Sequence, residues 1–268
     1  MRFRKNTMAI SEAELVVMTN DLQDAHHETL PQMQEAVSEW AEVNGMLRGG
    51  IDKLGATATS RRTFLLGVGA AAGGLAIAAC GKSSKKSSGA AAASGGNQSL
   101  SGDLAVATLA ASLENLAVQT YQAGVDAATK GALGAVPPAV ATFATTAQSQ
   151  HKDHAAAWNA ILTKSGKKAI TGVDLTVKDA VVTPGFAQVK DVVGLAKFAL
   201  GLENVAAATY LNGIQHAIKD KGAIQVAASI QPVEMQHAAI LNFVLGQYPI
   251  PDSFAKTDGA RGPDDKIG

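Results

Sequence analysis

Three glutamates and three histidines occupy matching positions of an internal duplication in the second part of the chain. Each copy has a glutamate, a tyrosine seven residues later and, further on, two ligand-type residues three positions apart. The residues are Glu114, Tyr121, His151 and His154 in the first copy and Glu203, Tyr210, Glu234 and His237 in the second. Carboxylates and imidazoles together form the mixed oxygen and nitrogen shell that binds transition metals. The pattern therefore predicts a metal site.

The spacing of the copies supports this interpretation. The single glutamates lie 89 residues apart, as do the tyrosines, and the two pairs lie 83 residues apart, so the first copy has a loop six residues longer. Beyond Cys80 the chain has no other glutamate, and its remaining acidic residues are aspartates. These glutamates are therefore not generic surface charge. No basic residue occurs between Leu104 and Ala128, so a buried Glu114 needs a cation or a hydrogen-bonding partner from elsewhere.

Helical geometry decides which side chains share a face. A spacing of three places both members of each pair on one face, and a spacing of seven returns Tyr121 to the face of Glu114. His216 comes 13 residues after Glu203, about 220° around the helix, and is excluded. We expect the tyrosines to hydrogen-bond a ligand carboxylate, to act as a one-electron reservoir, or simply to pack. Trp158 and Met235 follow helical spacing and are predicted to be core residues.

Apolar periodicity and helix-end signals predict four helices. They cover about 103–129, starting at Asp103 as N-cap, then 137–166, 186–219 and 223–245. Pro232 should kink or locally unwind the fourth helix. The stretch 167–185 alternates apolar residues, which favours short extended pieces inside a long crossover.

Two homologous helical hairpins joined by a long crossover resemble the ferritin-like four-helix bundle, over about residues 100–248. The resemblance implies an all-α fold with a di-metal site. Glu114 and Glu203 match the two single glutamates of that family, and Glu234 with His237 matches one of its two Glu-x-x-His pairs. His151 stands where the second pair would have glutamate. The family also often has a tyrosine two turns after the first glutamate, as here.

The donor set limits which metals can bind. Three carboxylates and three imidazoles supply a charge of at most −3, which suits Fe or Mn and would also accept Zn or Cu. Two ions are expected from the resemblance, but one carboxylate fewer leaves a single-metal or asymmetric site open. The resemblance implies redox chemistry with O2 or peroxide, such as iron oxidation or peroxide removal. The alternatives are a non-catalytic metal-binding, metal-buffering, structural or interaction protein of the cell envelope, and a bundle that has lost its metal.

The segment before the duplication resembles an export signal. Arg61 and Arg62 open an apolar run that ends at Cys80, as in a twin-arginine signal that closes in a lipoprotein box. The run from Phe64 to Ala79 has 16 residues, short of the roughly 20 that span a membrane. This pattern predicts lipidation at Cys80 and a location on the outer face of the cytoplasmic membrane. Residues 81–99, rich in Gly, Ser, Ala and Lys, would be a flexible tether, and 249–268 an irregular tail.

Residues 1–59 are longer than a normal signal allows. Their pattern predicts two helices, over about 10–22 and 30–47. Either a helical hairpin precedes the signal, or the true start lies later, with Met46 as a candidate.

Composition excludes some partners. The chain has 23 basic and 23 acidic residues, so no strong field attracts nucleic acid or anionic lipid. One cysteine cannot form an intrachain disulfide. A homodimer stays open, and no phosphate loop or nucleophile motif indicates a substrate.

Overall fold

The computed structural model describes residues 11–56, 102–252 and 254–262, with side chains described up to residue 42 in the first range. All regular elements in these ranges are helical, which confirms the predicted all-α fold. These ranges contain five long helices: α1 Glu12–Ala56, α2 Asp103–Thr129, α3 Pro138–Lys164, α4 Val192–Asn212 and α5 Lys221–Val244. The chain divides into two compact units, and helices α2 to α5 belong to the one formed by residues 1–41 and 99–268.

The long helices pair as two hairpins, α2 with α3 and α4 with α5. The loop after α2 turns through Gly131 and Gly134, both with a φ of 73°, a left-handed conformation that favours glycine. Between the hairpins, the crossover contains the short helical segments Leu175–Val177, Lys178–Val182 and Thr183–Phe186, the middle one a π-helix. The prediction of short extended pieces in the crossover is therefore wrong. The carboxylate of Asp174 accepts the Val177 N–H at 2.7 Å and starts helical turns instead.

Two predicted helix ends also differ from the structure. Gly102, with a φ of 63°, is the N-cap of α2, whereas the Asp103 carboxylate accepts the backbone N–H groups of Lys219 and Asp220, both at 2.8 Å. Asp103 thus joins the start of α2 to the connection between α4 and α5. α4 begins six residues later than predicted, at Val192, because Asp191 caps it by accepting the Gly194 N–H at 2.7 Å.

The ends of the second hairpin complete the bundle. α4 passes into a π-helical turn, Gly213–Ala217, before α5 begins. α5 continues as helix through Pro232, so the local unwinding expected there does not occur. Ile230 and Val233 on either side are buried, and their packing offsets the one hydrogen bond that proline removes. After α5, the described part of the tail has no helix.

The N-terminal segment is one continuous helix, where two were predicted. It starts with a capping box, in which Glu14 accepts the Ser11 N–H at 2.8 Å and Ser11 Oγ accepts the Glu14 N–H at 3.2 Å. No glycine lies between Ser11 and Asn44 to end it, and Pro31 is accommodated inside it. Because nothing breaks the helix between the two predicted segments, they form one element.

One face of α1 packs on the bundle. Leu15 and Leu22 belong to the same apolar cluster as Phe143 of α3 and Leu241 of α5. Farther along, α1 touches α5 so closely that a Cβ at Gly222 would lie 2.7 Å from Trp40 Cβ. Within the described residues, α1 is therefore a fifth helix of the bundle rather than a separate extension.

Candidate metal centre

Each helix of the two hairpins contributes to one buried cluster at the centre of the bundle. The cluster contains all six residues that the duplicated pattern singled out, and none is more than 4% exposed. The residues are Glu114 from α2, His151 and His154 from α3, Glu203 from α4, and Glu234 and His237 from α5. The structure thus brings the whole predicted ligand set together.

Two overlapping groups of four could each hold an ion. In each group the available ligand atoms all lie within 4.8 Å of one another. The first ligand group is Glu114, His151, His154 and Glu234, and the second ligand group is His151, Glu203, Glu234 and His237. Both groups share His151 and Glu234, which occupy equivalent positions of the duplication. Because a carboxylate has two oxygens, Glu234 is the shared residue suited to bridge two ions.

The distances within the cluster are short. His151 lies between two glutamates, with Nδ1 2.7 Å from Glu114 Oε2 and Nε2 3.4 Å from Glu203 Oε1. His237 Nδ1 lies 3.3 Å from Glu203 Oε2 and 3.4 Å from Glu234 Oε2. His154 Nδ1 lies 2.9 Å from Glu234 Oε1. These separations place imidazole nitrogens and carboxylate oxygens face to face around a common centre.

Four buried polar atoms of the cluster lack a hydrogen bond. Among the described residues, neither ring nitrogen of His154 and neither carboxylate oxygen of Glu234 makes one. The 2.9 Å contact between them does not have hydrogen-bond geometry, although it is close enough for an ion pair. Buried polar groups without partners are costly, and burial of an uncompensated charge costs more. A cation between these atoms would satisfy them, so the donor set fits a metal.

Without a metal, protons balance the buried charge. Burial alone would raise the pKa of Glu114, but the charge of His154 and the hydrogen bond from His151 outweigh it and lower the pKa to about 2. Burial alone would lower the pKa of His154, yet the charge of Glu114 dominates and raises it to about 9. His151 behaves in the same way, because the charges of Glu234 and Glu203 raise its pKa well above the usual value despite burial. A bound cation would replace these protons.

The two tyrosines hold the glutamates crosswise. Tyr121 of α2 donates its hydroxyl hydrogen to Glu203 of α4, and Tyr210 of α4 donates to Glu114 of α2. Burial, reinforced by these carboxylates, raises both tyrosine pKa values well above normal, so both hydroxyls remain donors. The predicted bond to a ligand carboxylate is present, but each tyrosine uses the glutamate of the other half. Trp158 does more than pack, since its Nε1 donates to Tyr210 Oη at 2.9 Å.

Residues outside the duplicated pattern also contact the cluster. Gln150, fully buried, lies with Oε1 2.7 Å from His237 Nε2. From α1, His26 places Nε2 3.3 Å from Asp153 Oδ2 and its ring centroid 5.4 Å from that of His154. Sequence reasoning missed His26 because α1 lies outside the duplication, and it missed Gln150 because the second copy has Val233 at that position. The only available signal was that Gln150 directly precedes His151 and Asp153 directly precedes His154.

Two apolar cavities between α2 and α4 reach the cluster. One is lined by Glu114 and Tyr210, the other by Glu203 and Tyr121, and His151 lines both. Their walls are built from equivalent positions of the two halves: Val106 and Leu195, Leu109 and Phe198, Leu113 and Leu202, Thr209 and Thr120. The centre can thus be approached by small apolar molecules from two related directions.

The remaining singled-out residues lie elsewhere. His216 is exposed in the π-helical turn after α4, in agreement with its exclusion. Met235 is half-buried, with Sδ 3.0 Å from Gln231 Nε2. Arg61, Arg62 and Cys80 lie outside the described residues.

The family model of the ferritin-like domain matches residues 102–247, more than half of the chain. The chain therefore belongs to the ferritin-like domain family. No curated protein and no solved structure matches it significantly. The matched range contains α2 to α5 and all six residues of the cluster, and these buried groups are compatible with metal binding.

Proposed function

We propose that this protein binds two ions of iron or manganese in the bundle and uses them for redox chemistry with O2 or peroxide. The observation that carries the proposal is the pair of ligand groups sharing Glu234, whose two oxygens are buried and without hydrogen bonds among the described residues. Two redox-active ions would supply the electrons for reduction of O2 or peroxide, as in ferroxidase or peroxide-scavenging chemistry. Zn would bind to the same donors but would not supply those electrons.

The protein's own residues have distinct tasks in this proposal. Glu114 would bind at the first ligand group, Glu203 at the second, and Glu234 at both. His154 and His237 would be terminal nitrogen ligands, and His151 would be a ligand in either ligand group. Tyr121 and Tyr210 fix one oxygen of a glutamate each, which leaves the other oxygen directed at the histidines. The apolar cavities admit small apolar molecules while apolar walls exclude water.

Export and membrane attachment are a further part of the proposal. Arg61, Arg62 and Cys80 carry it, and lipid on Cys80 would place the bundle on the outer face of the cytoplasmic membrane. Cys80 lies between α1 and α2 in the sequence, so cleavage before it would end the covalent link between α1 and the bundle. Mass spectrometry of the membrane fraction should find diacylglycerol on Cys80 and none in a Cys80→Ser variant. An unprocessed chain in the cytoplasm would overturn this part.

A non-catalytic metal protein is the second candidate. It is favoured by the near-complete burial of all six ligands, because structural metal sites are closed whereas catalytic sites keep an open position. His151 in place of a glutamate also leaves less negative charge to offset two ferric ions. Anaerobic loading with Fe(II) followed by exposure to air separates the candidates. A new absorption band with O2 consumption indicates catalysis, and unchanged Fe(II) indicates a binding role.

Metal content of the full chain tests the shared premise. The wild-type protein, expressed with iron and manganese available, should contain about two equivalents of metal by elemental mass spectrometry. Glu203→Ala should lose at least one of them. Glu35→Ala is the matched control, since Glu35 is an exposed glutamate of α1. Equal metal content in Glu203→Ala and wild type would overturn the assignment.

A further inference from the structure

Two glutamine side chains connect α1 to a histidine of the cluster. Gln150 of α3 donates its Nε2–H to Gln23 Oε1 of α1 at 2.9 Å. Its own Oε1 lies 2.7 Å from His237 Nε2 of α5. Gln150 is fully buried, so this arrangement is shielded from competing water. The three side chains form a hydrogen-bonded relay from α1 to the centre of the bundle.

The relay determines which nitrogen of His237 faces the centre. An amide oxygen only accepts, so the Gln150 carbonyl requires a hydrogen on His237 Nε2. The lone pair available to a metal is then on Nδ1. That atom lies 3.3 Å from Glu203 Oε2 and 3.4 Å from Glu234 Oε2, inside the second ligand group. Gln23 holds the Gln150 amide in this orientation, because the Gln23 carbonyl accepts a hydrogen bond from the Gln150 amide nitrogen.

We propose that Gln150 and Gln23 are positioning residues for His237, and that α1 thereby forms part of the metal centre. This inference rests on the proposed metal binding. Histidine ligands generally donate their second N–H to an acceptor that fixes the tautomer and the ring orientation. Here that acceptor is in turn fixed by a helix outside the matched ferritin-like range.

The duplication provides an internal comparison. Val233 occupies the position equivalent to Gln150, 83 residues later, and its side chain has no acceptor. His154, the equivalent of His237, accordingly has neither ring nitrogen in a hydrogen bond among the described residues. On this side of the cluster, α1 places the His26 ring beside His154, with 5.4 Å between ring centroids. α1 thus supports the second ligand group by directed hydrogen bonds and the first by ring packing.

Co(II) titration of the full chain tests the relay, because Co(II) reports its ligands by visible absorption and by hyperfine-shifted proton resonances. Gln150→Leu should weaken Co(II) binding by about 10- to 100-fold and remove one exchangeable imidazole N–H resonance of the bound form. Gln23→Leu should have a smaller effect on affinity in the same direction and speed exchange of that proton. Gln32→Leu, a change at an exposed glutamine of α1, should alter neither.

Rescue separates positioning from general support of the fold. Gln150→Glu keeps an acceptor for His237 Nε2–H and should bind Co(II) more tightly than Gln150→Leu. Thermal unfolding of the metal-free variants shows whether the fold is retained. If Gln150→Leu folds and binds Co(II) with the wild-type affinity and N–H resonance, the relay has no positioning role. A wild-type chain that binds no Co(II), Fe(II) or Mn(II) would overturn the proposed function and this inference together.

Discussion

The two halves of the bundle, α2–α3 and α4–α5, have the same frame but different support around their ligands. The two ligand groups are equal in donor type, since each has two carboxylates and two imidazoles. Among the equivalent positions at which the halves differ, three bear on the ligands: His151 against Glu234, Gln150 against Val233, and Trp158 against Leu241. The duplication thus preserved the positions of the ligands and allowed their neighbours to diverge. We infer that two bound ions would have different affinities, with the second ligand group, where Gln150 holds His237, the tighter.

Substitution of Glu234 should have the largest effect on metal content, because Glu234 belongs to both ligand groups. Glu234→Ala should reduce metal content from about two equivalents to nearly none, whereas Glu114→Ala should mainly lose the ion of the first ligand group. Elemental mass spectrometry of the purified variants measures both. If Glu234→Ala and Glu114→Ala lose the same amount, Glu234 is not shared, and the bridging role is wrong.

His151→Glu would make the halves equivalent at the shared positions. It raises the buried carboxylates of the cluster from three to four and removes one imidazole. The metal-free variant should lose about 3–5 kcal/mol of unfolding free energy, because a buried charge loses its partner. The metal-bound variant should instead bind the second of its two ions at least about 10-fold more tightly than the wild type does, because the added carboxylate offsets the charge of the ions.

Urea unfolding of the metal-free proteins measures the first effect. Mn(II) titration measures the second. Glu35→Gln, an exposed change on α1, should affect neither quantity. A His151→Glu protein with unchanged Mn(II) affinity would show that carboxylate charge does not limit the second ion.

The duplicated pattern was enough to predict the cluster, because a repeated spacing identifies both the helix face and the position along the helix. It did not predict which tyrosine contacts which glutamate. Seven residues place Tyr121 on the face of Glu114, but the hydroxyl reaches across to Glu203 of the neighbouring helix. The choice depends on interhelical distances, which a single helix pattern does not contain.

α1 was harder to predict for a related reason. Its amphipathic pattern indicates that one face is buried, but not against which helix. The contacts of Gln23 with Gln150 and of His26 with Asp153 both join residues 127 positions apart. Such long-range pairs arise only from the packing of the whole bundle. The prediction for the crossover failed for a local reason instead, because alternating apolar residues suggested strand while the Asp174 cap favoured helix.

Tyr210 and Tyr121 test the divergence around the glutamates at a smaller scale. Tyr210→Phe removes the hydrogen bond to Glu114 and also leaves Trp158 Nε1–H without its acceptor. Tyr121→Phe removes the bond to Glu203 but leaves no indole unsatisfied, because Leu241 stands where the first half has Trp158. Tyr210→Phe should therefore cost about 1–3 kcal/mol more than Tyr121→Phe in urea unfolding of the metal-free protein, the penalty for an unsatisfied buried donor.

A double change checks the cause of that difference. In a Trp158→Phe background no indole N–H remains to be left unsatisfied, so Tyr210→Phe and Tyr121→Phe should cost nearly the same. A difference that persists in this background would have to come from the glutamates, and the role assigned to Trp158 would be wrong.

The smallest expected contrast is between the equivalent glycines Gly124 and Gly213, which lie 89 residues apart. A Cβ at Gly124 would lie 3.3 Å from Leu195 Cδ2, closer than ordinary contact, whereas one at Gly213 would lie 3.6 Å from Ile218 Cδ1. Alanine restricts the unfolded chain at both sites, which stabilises by about 0.4–1 kcal/mol where no strain arises. Gly213→Ala should gain that amount, and Gly124→Ala should gain less because Leu195 must move. Urea unfolding of the two variants measures the difference. A larger gain for Gly124→Ala would show that the cavity between α2 and α4 accommodates the added Cβ despite the short distance to Leu195.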